Sequence, residues 1–269
     1  MIALGNFTDA LTKLPGFRKQ QPKPVLSPEA SERIERLEQL VEILASRAAS
    51  AELSPSAVIE VREAESEIRS FIQKARDNPS LLNQPVINVA LVVAHNKSRP
   101  GVVVTHDGKR YSEFDLNSVL APMIQQKLSD EGVVAEVFYR DSTKDFTSGI
   151  AAAATRDPTL IIELHANGAM ESASGAEALV RHDDEFGSEV ARDIISSIST
   201  SLEIKNRGVK PTEASSRGGK GLHLSTASTI ILEPFFLTNP DDRAKALEDK
   251  ERLAIVISAP IVKHIKQNK

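Results

Sequence analysis

Apolar positions follow a helical rhythm in the first part of this chain and a strand-and-helix alternation in the rest. Ile34, Leu37, Leu40, Val41 and Leu44 recur at spacings of three and four, as do Val58, Val61, Ile68 and Ile72. Ser27-Pro28 offers an N-cap and a first-turn proline, Ser54-Pro55 opens a second helix in the same way, and Asn78-Pro79 closes it. No glycine interrupts the stretch from Gly16 to Gly101. The pattern predicts an antiparallel helical hairpin over residues 26–80, behind a flexible arm over 1–25. Each helix has one apolar stripe. The pair must cover it on the following domain or on other copies of the chain, so the hairpin is expected to serve docking or homo-oligomerisation.

From Ile87 the rhythm changes. Ile87–Val93 and Leu160–Leu164 are apolar runs interrupted only by Asn88 and Glu163, as strands covered on both faces require. Val133–Tyr139, Ala176–Val180 and Thr229–Leu232 read as further strands. Helices are expected over Phe114–Leu128, Thr147–Thr155 and Ser188–Leu202, with a single final helix from Asp241 onward. Residues 203–228, with Pro211 and Gly218, Gly219 and Gly221, read as an irregular loop. The fold class predicted is α/β: a twisted, mostly parallel sheet flanked by helices over residues 86–269, preceded by the helical hairpin.

Composition narrows the chemistry. The chain has 269 residues and no cysteine, which removes disulfides, thiolate metal sites and cysteine nucleophiles. A net charge of -4 gives no general attraction to nucleic acid or to an anionic membrane. No run approaches the length of a membrane span, and no secretory signal is read in the first residues.

Two of the apolar runs stop on a histidine, at Ala94-His95 and Leu164-His165. In an α/β sheet such positions lie beyond the strand ends, where ligands bind. With no thiolates, a metal must be held by His, Asp or Glu. Glu113, at the start of a helix, lies where the chain after His95 can fold back over the sheet edge. Glu233 ends the run Thr229-Ile230-Ile231-Leu232 and precedes Pro234-Phe235-Phe236. These residues make a zinc hydrolase the leading reading. His106, His182, His223 and His264 read as surface residues.

In order along the chain, the residues resemble the zinc-dependent N-acetylmuramoyl-L-alanine amidases of the Amidase_3 type. The likeness runs from about Asn88 to the C-terminus. It includes His95, Glu113 opening a helix, and Val137-Phe138-Tyr139-Arg140-Asp141. Further on it takes in Glu163-Leu164-His165-Ala166-Asn167-Gly168, Asn206-Arg207-Gly208-Val209-Lys210, and Ile231-Leu232-Glu233-Pro234-Phe235-Phe236-Leu237-Thr238-Asn239. The resemblance implies that His95, Glu113 and His165 hold Zn2+ and that Glu233 is the catalytic carboxylate. It also implies cleavage of the amide between the lactyl group of N-acetylmuramic acid and the L-alanine of the peptidoglycan stem peptide.

Asn167 and Arg140 are candidate substrate-binding residues. Glu163 stands where the family often has serine; it shares a face with His165 and is expected either to bond an imidazole N–H or to sit as an extra carboxylate near the metal. The family usually has glycines around its first histidine, whereas this chain has Ala94-His95-Asn96-Lys97. Two alternatives stand beside the amidase: a catalytically inactive scaffold or tethering protein working through the hairpin, and a zinc peptidase acting on another amide. A wall enzyme made in the cytoplasm without a signal would need another route of release, as phage-derived, endolysin-like enzymes do.

Overall fold

The computed structural model describes residues 25–49, 55–82, 87–141, 147–216 and 218–268. The expected arm, apart from Val25, and the capping role of Ser54 lie outside these residues. Helix α1 (Pro28–Ala48) starts as its sequence predicts, with the Ser27 hydroxyl accepting from the Ala30 amide at 3.1 Å. Helix α2 (Pro55–Asp77) ends before a short 3-10 turn at Pro79–Leu81.

Then follow β1 (Val89–Val93), β2 (Val103–His106), β3 (Lys109–Ser112), α3 (Glu113–Asp130), β4 (Ala135–Tyr139), α4 (Ser148–Ala154) and β5 (Leu160–Leu164). The rest are β6 (Ala176–Arg181), α5 (Glu185–Leu202), β7 (Asn206–Thr212), α6 (Gly219–Leu222), β8 (Ser228–Glu233), α7 (Pro240–Glu248) and α8 (Lys250–Gln267). The main sheet has the order β4-β1-β5-β8-β6-β7. Its first four strands are parallel, β6 runs antiparallel to β8, and β7 is parallel to β6. The mostly parallel α/β sheet flanked by helices is the fold expected, with the helical hairpin before it.

Strand alternation sends side chains to two different layers. Val89, Leu91 and Val93 of β1 pack in one core with residues of α3, α5 and α8. Ala90 and Val92 pack in a second core with Ile161, with Ile150 of α4, and with the stripes of α1 and α2. The hairpin's apolar stripe is therefore buried against the second face of the sheet. Polar ties reinforce it: the Arg33 guanidinium donates to the Leu82 and Thr155 carbonyls, each at 3.1 Å, and Arg36 pairs with Asp157.

Several local expectations need correction. Residues 203–228 are not an irregular loop, because they hold β7 and α6. Strand β7 lies at the sheet edge, where Pro211 costs no ladder bond and polar residues face water, so it lacks the apolar signature of the central strands. The final helix is two helices. The chain breaks at Asp249, whose carboxylate caps α8 by accepting from the Arg252 amide at 2.9 Å. The β2–β3 hairpin was not expected. Its Asp107-Gly108 turn, with φ of 50° and 72°, is of the kind that favours a tight hairpin. His223 is buried and faces the Thr212 carbonyl, so it is no surface residue.

Candidate active site

Four neighbouring parallel strands deliver the site from their carboxyl ends. Arg140 follows β4, His95 lies just past β1, His165 follows β5, and Glu233 is the last residue of β8. The register aligns Val93, Leu164 and Leu232, so the chain emerges from three strands at one level.

His95 has a φ of 67°, a left-handed conformation that costs a non-glycine residue roughly 1–2 kcal/mol. The turn after it is closed by Asn96, whose side-chain oxygen accepts from the Ser98 and Arg99 amides at 3.0 and 2.9 Å. An asparagine turn thus stands where the resemblance leads one to expect glycines.

Glu113 begins α3, where an acidic side chain suits the helix dipole. It is 4% exposed and accepts from the Val102 amide at 2.7 Å through Oε1 and from the Ala166 amide at 3.1 Å through Oε2. The same Oε2 is 3.2 Å from His165 Nδ1 and 3.3 Å from His95 Nε2. The imidazoles meet edge to face, with centroids 5.1 Å apart. His95, Glu113 and His165 each offer a donor atom, and all three atoms lie within 4.8 Å of one another. Two nitrogens and one oxygen at that spacing can hold a metal ion. The imidazoles remain 22% and 17% exposed, so solvent reaches the group.

Electrostatics bind the cluster together. Burial alone would push the His165 imidazole's pKa down. Its contacts with Glu113 and Glu163 and the charges of Glu163 and Glu233 outweigh that and carry it from 6.5 up to about 10. Burial would likewise raise the Glu113 carboxyl, but the two imidazoles hold it well below the usual carboxylate range. The Glu163 carboxyl is also lowered, by His165 and Arg140 against the effect of burial.

All seven sequence-predicted residues line one cleft of about 420 Å³: His95, Glu113, Arg140, Glu163, His165, Asn167 and Glu233. Asn167 is oriented by Glu177, which accepts from its amide at 2.6 Å while itself held by Arg207 at 2.7 Å. Asn239 fixes a turn, accepting from the Asp242 amide at 2.9 Å as the cap of α7. Of the four glycines that line the cleft, Gly101, Gly218 and Gly221 carried no expected role in it. At Gly101, φ is +76°, and a Cβ would come 2.6 Å from both Glu113 Oε1 and His95 Cδ2. Its only mark in the sequence is its place between two proposed ligands, which it shares with Gly108. Gly218, which caps α6, and Gly221 within it also line the cleft.

Comparison with known proteins bears on the fold and the family. The "Uncharacterized protein YqiI" of Bacillus subtilis is 28% identical over 142 residues, 51% of this chain and 66% of that protein, so the match spans just under two thirds of YqiI. An N-acetylmuramoyl-L-alanine amidase from Clostridium difficile 630 superposes with a TM-score of 0.58 at 20% identity, covering 69% of this chain and 100% of that one. Cwp6 from Clostridium difficile gives the same score and identity over 71% of this chain and 30% of its own. The catalytic domain of the CD27L endolysin gives 0.54 at 24% identity, covering 66% and 97%. At these identities the superpositions show a shared fold. The family model described as N-acetylmuramoyl-L-alanine amidase matches residues 89–263, from the strand that delivers His95 to the last helix, and on that match the chain belongs to the N-acetylmuramoyl-L-alanine amidase family.

Proposed function

We propose that this chain is a zinc-dependent hydrolase of peptidoglycan, cleaving the amide between N-acetylmuramic acid and the L-alanine of the stem peptide, and that it acts at the cell wall. The supporting observation is the convergence of His95, Glu113 and His165 within 4.8 Å in a cleft that Glu233 also lines. Three nitrogen and oxygen donors of these kinds would suit zinc. Zinc bound there supplies Lewis acidity, polarising a carbonyl and acidifying water.

The chain's own residues supply the rest. Glu233 accepts the proton of the attacking water and returns it to the amide nitrogen that departs. Asn167, held by Glu177, and Arg140 present hydrogen-bond donors to the polar groups of the peptide. No helix among the described residues is long and apolar enough to cross a membrane. The decisive experiment is mass spectrometry of purified peptidoglycan after digestion. Free stem peptides with intact glycan support the amidase. Shortened stems would indicate a zinc peptidase, and no products from zinc-loaded protein would indicate a scaffold.

Two further outcomes are expected. In Gly101→Ala the new methyl group must displace Glu113 or His95. Misplacing a ligand by about 1 Å costs on the order of 100-fold in turnover, checked by assay alongside zinc content and a melting curve. The second concerns pH. In the metal-free protein His165 keeps its proton through neutrality, so zinc must displace it. Zinc affinity is expected to rise with pH, by roughly tenfold per unit where one proton is released. The imidazole's pKa is raised by folding, so its contribution to metal-free stability is complete below pH 6.5 and lost as pH climbs through about 10. Calorimetry in buffers of different ionisation enthalpy reads the proton release, and a pH-independent affinity would contradict it.

A further inference from the structure

Glu163 is a cleft carboxylate with no part in the proton transfers described above. It is 3% exposed and sits in β5, two residues before His165 and on the same face. A buried carboxylate needs charged or hydrogen-bonding partners. Glu163 has one at each end. An Arg140 terminal nitrogen is 3.5 Å from Oε1, and His165 Nε2 is 3.4 Å from Oε2. Strands β4 and β5 flank β1, so the Arg140–Glu163 pair bridges the end of the strand that leads to His95.

The two nitrogens of His165 face different carboxylates. Nδ1 is 3.2 Å from Glu113 Oε2, the oxygen that His95 Nε2 also approaches, at 3.3 Å. Nε2 points instead to Glu163. A neutral imidazole has one N–H and one lone pair, and the partner of the first decides where the second lies. We infer that Glu163, anchored by Arg140, is a positioning residue: it accepts the Nε2–H of His165 and leaves the Nδ1 lone pair facing His95 and Glu113 for the metal. This rests on the metal-holding role proposed for the three residues.

The test uses the full chain with zinc alone as ligand. Affinity is read by competition with a chromophoric chelator, and the His165 ring by nitrogen-15 NMR of the zinc-loaded protein. Wild type is expected to show metal on Nδ1 and a proton on Nε2. Glu163→Ala removes the acceptor and is expected to weaken zinc binding by about 10- to 100-fold. Glu163→Gln keeps a carbonyl acceptor and should lose clearly less, whereas a direct carboxylate ligand would not tolerate that change. Arg140→Met should also weaken binding, and combined with Glu163→Ala it should add little, since both act through one contact. Melting curves establish that each variant is folded, and the wild-type spectrum decides the matter even if Glu163→Ala is not. Zinc binding by Glu163→Ala equal to wild type, or metal on His165 Nε2, overturns the relay alone. A wild-type chain that binds no zinc overturns the metal reading and the relay with it.

Discussion

Replacing Glu233 by alanine is expected to lower amide hydrolysis by about 10²- to 10⁴-fold, the usual worth of a positioned general base, while zinc content stays at the wild-type level. The two halves of that result have separate causes. Glu233 is not among the three side chains whose donor atoms converge within 4.8 Å, so its removal leaves the metal's holders in place. Yet it ends β8 beside β5, lines the same cleft, and its charge acts on His165. That placement is what the general-base role proposed for it requires. His165→Ala makes the contrast, because it removes a donor and should lose metal and turnover together. Normal turnover by a zinc-loaded Glu233→Ala enzyme would remove Glu233 from the mechanism. Loss of zinc from that variant would make it a ligand instead.

The second large effect lies far from the chemistry. Leu44 of α1 and Ile68 of α2 are fully buried, in the same core as Ala90, Val92 and Ile161 of the sheet. Truncating either to alanine is expected to cost about 2–5 kcal/mol, read by chemical denaturation. Deleting residues 26–82 is a harsher version of the same change. It would uncover Ala90, Val92, Ile150 and Ile161 as one apolar face, and an exposed face of that kind drives aggregation. The expected outcome is loss of soluble, cooperatively melting protein. A deletion variant that stays soluble and melts like the full chain would show that the hairpin contributes nothing to the domain's stability.

The hairpin also reaches toward the cleft. Arg47 of α1 donates to the His223 carbonyl, directly after α6, and the loop and helix there place Gly218 and Gly221 in the cleft wall. One short segment therefore touches both the hairpin and the cleft wall. Destabilising variants of α1 should therefore be assayed for turnover well below their melting temperature.

Much of this was legible in the residues themselves. β1, β5 and β8 are covered on both faces, so each is a mostly apolar run, and the polar residue that ends it marks a sheet rim. That periodicity identified His95, His165 and Glu233 as strand-end residues, and the helix start identified Glu113. The hairpin's two helices were equally plain, because a single stripe at spacings of three and four has few other readings. β7 was not legible, since an edge strand has no second apolar face to betray it. Nor was the split at Asp249, where one capping carboxylate outweighs an otherwise helical pattern. Gly101 was barely marked for a different reason: its role is the space it leaves beside two side chains that come from elsewhere. Sequence by itself thus determined which residues stand at the rim of the sheet. Tertiary structure decided which of them meet, which nitrogen of His165 faces which carboxylate, and that the hairpin's stripe closes on the sheet. Those outcomes depend on strand order and on contacts between distant segments, and local periodicity carries no record of either.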